Sequence, residues 1–279
     1  MALDLKSEVQ NRVLAVRDLP SLPRVFEEIS RRLNDPRSSM EEIAQLVALD
    51  QALTAKVLRM VNSPLYGFPR RIGSIDHAIV LLGLNVIRGL IVCASVLEVA
   101  AGSMVGLWEH SVGCALACRE IARWAGFKDA DEYAVAGLLH DLGKVVVFVQ
   151  MPDIHERIQR TMAESGLCPL EAERAVLGFG HDRINAWLAD HWNLPRTIKE
   201  GMAGHHRPTS SQYHSKYAAV VHVGDFLAKV LEIGDAGNDG APALDPLAFS
   251  SIGLSLEELE PILDRMIEKR FEVESFTLS

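Results

Sequence analysis

Apolar residues recur along this chain at helical spacing, and no run alternates in the way a half-buried strand requires. The first helix is expected to end near Asp18, where Leu19-Pro20-Ser21-Leu22-Pro23 forces a turn and starts the next helix from a proline. Asn34-Asp35-Pro36 stops that second helix. Ser39, with Glu42 three residues on, is a capping-box signature for a third helix through Ile43, Leu46 and Val47. A fourth carries Leu53, Val57, Leu58 and Val61 and ends at Asn62-Ser63-Pro64, a capped end and proline turn rather than a binding loop. Two more follow, from Ser74 to Leu82 and from about Leu84 to Ala101, separated at Gly83.

The second half begins near Ser103. A long helix passes through His110 to Trp124 and stops at Gly126, and another runs from Asp129 to about His140. Further helices are expected near Asp153–Ser165, Pro169–Val176, His181–Trp192, Pro195–His205, Ser215–Leu231 and Ser255–Phe271. The Gly/Asp-rich stretch from Gly234 to Gly240 has no periodicity and reads as an exposed loop. The expected fold is therefore all-α, a multi-helix bundle with an N-terminal helical subdomain (residues 1–102) and a second helical part (residues 103–279). No solenoid-period repeat and no Gly-rich phosphate loop interrupt it.

Composition narrows the function classes. Apolar residues make up 48% of the 279 and aromatics only 6%, which suits aliphatic helix packing. The net charge is −9 and no basic stripe is present, so a nucleic-acid surface is not expected. The apolar run from Ala78 to Ala101 is broken by Asn85, Arg88 and Glu98, whereas a membrane span needs about 20 nearly uncharged residues. It reads as a buried helical hairpin, with no membrane partner. The charged N-terminus does not read as a signal peptide, and Cys93, Cys114, Cys118 and Cys168 show no CxxC spacing. A cytoplasmic location follows as an expectation. Cys114 and Cys118 share a helical face with His110 but are expected as small core residues.

Candidate chemistry lies in the second half. His140-Asp141 ends an apolar helix within Gly137-Leu138-Leu139-His140-Asp141-Leu142-Gly143-Lys144. Adjacent helical residues diverge by ~100°, so both can reach one point only beside the helix end. His205-His206 ends another helix, and His110, His181 and Asp225 each fall on a separate one. Imidazoles and carboxylates converging from several helices are what a metal ion needs, and an ion offsets the penalty of burying Asp141 or Asp225. Each residue also has an ordinary reading: His110 as a partly buried histidine, His205-His206 as exposed C-terminal residues, Asp225 as a surface acid. Asp182 is assigned as the cap of the helix that follows Gly180, leaving His181 for a metal. His77, His155, His191, His214 and His222 are left as structural or surface residues.

Several motifs together resemble the HDOD (HD-related output) domain. These are Leu19 to Pro23, Asp50 to Ser63, Ala78 to Gly83, Leu138 to Lys144, Gly180-His181-Asp182, Trp192 to Pro195, and His205-His206. The resemblance spans about residues 12–232. It implies an HD-domain-like helical second half and a bacterial signal-transduction or regulatory module, with a protein partner in a signalling pathway. Read beside the related HD-GYP phosphodiesterases, His110, His140, Asp141, His181, His205, His206 and Asp225 match metal ligands, and Lys144 matches the lysine after the HD pair. That implies one or two metal ions, iron as first choice, with Mn, Zn or Ni also fitting such ligands. The alternative it implies is a metal-dependent phosphohydrolase acting on a phosphodiester or nucleotide, a small phosphorylated ligand, with Asp141 and Lys144 as its catalytic pair. Gly106 stands four residues before His110, where some HD-GYP members have Glu. No Gly-Tyr-Pro motif follows Arg207-Pro208.

Overall fold

A computed structural model describes residues 2–15, 28–29, 31–32, 35, 37–101, 104–210, 216–235, 237 and 243–276, and all described secondary structure is helical. The expected turn at Leu19 to Pro23, the stop at Asn34 and Pro36, and the boundary residue Ser103 lie outside the described residues.

The helices of the first half are α1 (Ala2–Leu14), α2 (Met40–Ala48), α3 (Gln51–Val61), α4 (Ile75–Leu82) and α5 (Leu84–Ala101). Local chemistry sets their ends. Ser39 and Glu42 form the expected reciprocal capping box on α2, while Asp50 and Ser74 cap α3 and α4 through their side chains. Gly83, at φ 82°, separates α4 from α5. Asn62 closes the loop after α3 by bonding Leu58 O, Ile72 O and Ile72 N, so the Asn62-Ser63-Pro64 segment is a capped end. That loop then docks on the second half, where Arg119 donates to Leu65 O and Tyr66 O and Lys269 donates to Pro64 O.

The second half holds α6 (Leu107–Trp124), α7 (Ala130–Leu139), α8 (Leu142–Gln150), α9 (Pro152–Ser165), α10 (Pro169–Leu177), α11 (His181–His191), α12 (Arg196–Gly204), α13 (Lys216–Val230), α14 (Pro246–Ile252) and α15 (Leu256–Glu274). Two of these were not anticipated from periodicity. The β-branched run Val145-Val146-Val147 disfavours α8 locally, yet all three are buried, and packing overrides propensity. The short α14 is started by Asp245, which accepts from Leu247 N and Ala248 N. No single helix among the described residues is long and apolar enough to cross a membrane.

Small residues let the helices that carry the site approach closely. A Cβ on Gly137 of α7 would lie 2.7 Å from Cys118 Sγ of α6, and one on Gly224 of α13 would lie 2.6 Å from the same sulfur. Cys114 and Cys118 are thus buried spacers at the α6–α7–α13 crossing, as their residue type suggests. The crossing puts one face of α6 against both helices at once.

Candidate metal centre

The HD pair sits at a helix junction. His140 is the C-cap of α7 and Asp141 the N-cap of α8, so both side chains leave the helical screw at one point, as adjacency required. Gly143 follows because a Cβ there would lie 2.6 Å from His181 O, and its N–H donates to Asn185 Oδ1 at 2.8 Å. Asn185 of α11 also donates to His140 O and Met202 O, tying the HD junction to α11 and α12. His110 comes from the first turns of α6, His181 is the first residue of α11, His205 is the C-cap of α12 with His206 next, and Asp225 lies within α13.

All of these converge. Three overlapping sets have ligand atoms within 4.8 Å of one another: His110, His140 and Asp225; His140, Asp141 and His205; His181, His205 and His206. Asp141 faces two ways, with Oδ1 3.1 Å from His181 Nε2 and Oδ2 3.4 Å from His140 Nε2. Lys144 Nζ donates to Asp141 Oδ2 at 3.0 Å, and Lys229 Nζ to Asp225 Oδ2 at 3.2 Å. Every sequence-assigned residue is therefore in one cluster. His110, His140, Asp141, Lys144, His181, His205 and Asp225 are buried, so the surface readings of His205 and Asp225 do not hold, and His206 alone is partly exposed.

The ring orientations bear on what the cluster could hold. His140 Nδ1 donates to Gly137 O at 2.6 Å and His205 Nδ1 to Met202 O at 2.8 Å. A carbonyl only accepts, so the proton sits on Nδ1 and a neutral ring turns the Nε2 lone pair inward. His181 Nδ1 is likewise engaged, with Glu173 Oε2 at 2.8 Å. Nε2 atoms nevertheless stand 3.3 Å apart for His110 and His140, 3.4 Å for His181 and His205, and 2.9 Å for His181 and His206. Asp225 Oδ1 is 3.0 Å from His110 Nε2 but is buried without a hydrogen bond. Crowded lone pairs and an orphaned carboxylate oxygen fit an electrophile among them, either protons or metal cations.

Protons and cations compete for these atoms. Burial opposes charging of His140, but the Asp141 carboxylate overcomes it and holds the imidazole well above its usual range. Burial likewise opposes a charged His181, and the neighbouring Glu173 and Asp141 carboxylates outweigh it, raising the ring to about 9. His205 and His206 are pushed well below the usual value by burial and by the other imidazoles. His110 is also lowered by burial, against Asp225. Although burial alone would raise them, Asp141 and Asp225 are held well below the carboxylate range by the adjacent imidazoles and lysines.

Two residues differ from the sequence reading or escaped it. Asp182 does not cap α11: Gly180 is the N-cap without a side-chain bond, and buried Asp182 instead accepts from Arg207 Nη2 at 3.1 Å. Glu173 was not singled out, yet its carboxylate takes both the backbone N–H of His181 (2.7 Å) and Nδ1. His222 is structural, as expected, but close by: its Nδ1 donates to His205 O at 2.8 Å and its Nε2 accepts from Asp245 N at 3.0 Å.

The HDOD domain family model matches residues 19–208. Over its full length the chain is similar to an HDOD domain protein of unknown function from Geobacter sulfurreducens, with 27% identity, TM-score 0.73, and 100% and 99% of the two chains covered. It is also similar to a candidate phosphohydrolase from Shewanella amazonensis SB2B, at 25% identity and TM-score 0.71 over 96% and 98% of the chains. An uncharacterized protein of Treponema pallidum (strain Nichols) is 29% identical over 194 residues, 68% of this chain. The match takes in 38% of that relative's length.

Proposed function

This chain belongs to the HDOD domain family, and from that premise we propose that it is a bacterial signal-transduction module built around a buried metal centre. One observation carries the reading: five imidazoles and two carboxylates bring their ligand atoms together in three overlapping sets, each within 4.8 Å, and all but His206 are buried. His110, His140 and Asp225 would hold one ion and His181, His205 and His206 a second, with Asp141 between them. The ions, iron by the HD-GYP resemblance, would offset the buried carboxylates and lock five helices (α6, α7, α11, α12, α13) and the α7–α8 junction into one arrangement. The module would then present that arrangement to a protein partner in the cytoplasm.

A second reading is supported by one contact. Lys144 Nζ lies 3.0 Å from Asp141 Oδ2, where an ammonium could also meet a phosphoryl oxygen. A metal-dependent phosphohydrolase would use that pair on a small phosphorylated ligand, with bound ions lowering the pKa of a water. Burial of the ligand set favours the module.

Elemental analysis of wild type and Asp141→Ala tests both. Near two ions per chain in wild type, largely lost in the variant, is the expected result and justifies a phosphodiester substrate screen. Absence of stoichiometric metal under metal-replete, chelator-free conditions would sink both readings.

A further inference from the structure

The histidines of the cluster are not supported alike. His140 and His205 each give their Nδ1 proton to a neutral carbonyl, Gly137 O and Met202 O. His181 alone among these three gives it to a carboxylate, Glu173, whose oxygens lie 2.8 and 3.0 Å from Nδ1. The same carboxylate takes the His181 backbone N–H at 2.7 Å, so ring and backbone are fixed from one group. Glu173 is itself buried, midway along α10, and a ring turned away from it would leave its charge with the His181 backbone N–H alone among the described contacts.

We propose that Glu173 is a positioning residue that makes the two metal positions unequal, the His181/His205/His206 position being the tighter. The proposal rests on the metal reading above. A carboxylate behind an imidazole fixes its tautomer and strengthens it as a donor, and loss of such a partner weakens metal affinity by about 10- to 100-fold. The other position has no such support within the described contacts. Its carboxylate, Asp225, shares Oδ2 with Lys229 at 3.2 Å, which draws electron density away from the ligand. One ion is then held about 10- to 100-fold more tightly than the other, a device suited to a sensor.

Glu173→Gln tests this, because an amide oxygen in the place of Oε2 can still accept from both the His181 backbone N–H and Nδ1, while the charge that strengthens the imidazole is gone. Full-length wild type, Glu173→Gln and Asp225→Asn are loaded with Mn2+ or Zn2+, and step-wise affinities are measured by chelator competition. Thermal melts of the metal-free forms check folding, and 15N shifts of the imidazoles report the His181 tautomer. The expected pattern is a wild type with one tight and one weaker ion. Glu173→Gln loses about 10- to 100-fold on the tight step and Asp225→Asn loses the weak step. Wild-type affinities in Glu173→Gln, or equal weakening of both steps, overturns the proposal while leaving the metal centre standing. A wild type that binds no ion overturns both.

Discussion

Asp225 Oδ1 lies 3.0 Å from His110 Nε2 across the crossing of α13 and α6, and Gly224, the residue before Asp225, is what lets the two helices come that close. A Cβ at position 224 would sit 2.6 Å from Cys118 Sγ and 3.3 Å from Cys114 O, so α13 must move outward to accept it. Gly224→Ala is expected to lower stability by about 1–3 kcal/mol, the usual range for overpacking a tight core. Since the displaced helix carries Asp225, the variant should also lose metal from the His110/His140/Asp225 position. Urea unfolding and elemental analysis check the two effects separately. Unchanged metal content at reduced stability would show that the crossing serves packing alone.

Metal loading should depend on pH with a definite sign. His140 is held well above the ordinary imidazole range and His181 at about 9 by their carboxylates, so below that pH an incoming ion displaces their protons. Affinity is expected to rise with pH up to about 9, with proton release on binding that shrinks over the same range. The metal-free chain shows the complementary trend. A group whose folded pKa is raised, His181, contributes stability fully below its unfolded value of about 6.5, and that contribution is lost as pH rises through about 9. Asp141 and Asp225, depressed, contribute above an unfolded value of about 3.9 and lose it as pH falls. Melting temperatures of metal-free and loaded protein between pH 5 and pH 9.5 should diverge most at the alkaline end. Parallel curves would contradict the proton–metal exchange.

Much of this centre was legible because its residue types are costly to bury without purpose. Adjacent His140 and Asp141 could share a target only at a helix end, and the structure puts them at the α7–α8 junction. His205-His206 at the end of α12, His181 at the start of α11 and Asp225 amid apolar neighbours were legible for the same reason. Glu173 was not. In Pro169-Leu170-Glu171-Ala172-Glu173 it looks like an ordinary acid of an amphipathic helix, and only the return of the chain through Gly178 and Gly180 brings His181 against it. Asp182 was misassigned because Asp is a favoured cap, whereas its partner, Arg207, arrives from the far end of α12. Helix α8 escaped because its valines favour strands and only burial makes them helical.

Removing the metal should destabilise the second half. A ligand present at 100 times its dissociation constant adds about 2.7 kcal/mol, which for a domain of this size corresponds to a shift of roughly 5–10 °C in Tm. Treatment with a strong chelator is expected to lower Tm by that order, and re-addition of the ion should restore it. The same treatment of Asp141→Ala should change nothing. A chelator-insensitive wild type would mean the cluster folds on protons alone.

Arg207 offers a way to separate holding the ions from keeping them. Its side chain is 61% exposed, yet it reaches back to Asp182, which is 3% exposed, at 3.1 Å. Asp182 adjoins His181 and Arg207 follows His206, so the pair ties the turn bearing the partly exposed histidine to the start of α11. Cutting it leaves Asp182 buried without that partner, and with one member largely solvated the loss in stability should be modest, about 1 kcal/mol. The larger effect is kinetic. His206 is the partly exposed histidine of the cluster, so an ion at the His181/His205/His206 position is expected to leave when that side chain swings away. Arg207→Ala is therefore expected to speed metal release several-fold with little change in the number of ions bound. Asp182→Asn, which removes the charge but keeps the shape, should fall between the variant and wild type. Release rates are read by stopped-flow mixing with a chromogenic chelator. Equal rates in all three proteins would reduce the pair to a brace between α11 and α12, and would place the exit of the ion on another side of the cluster.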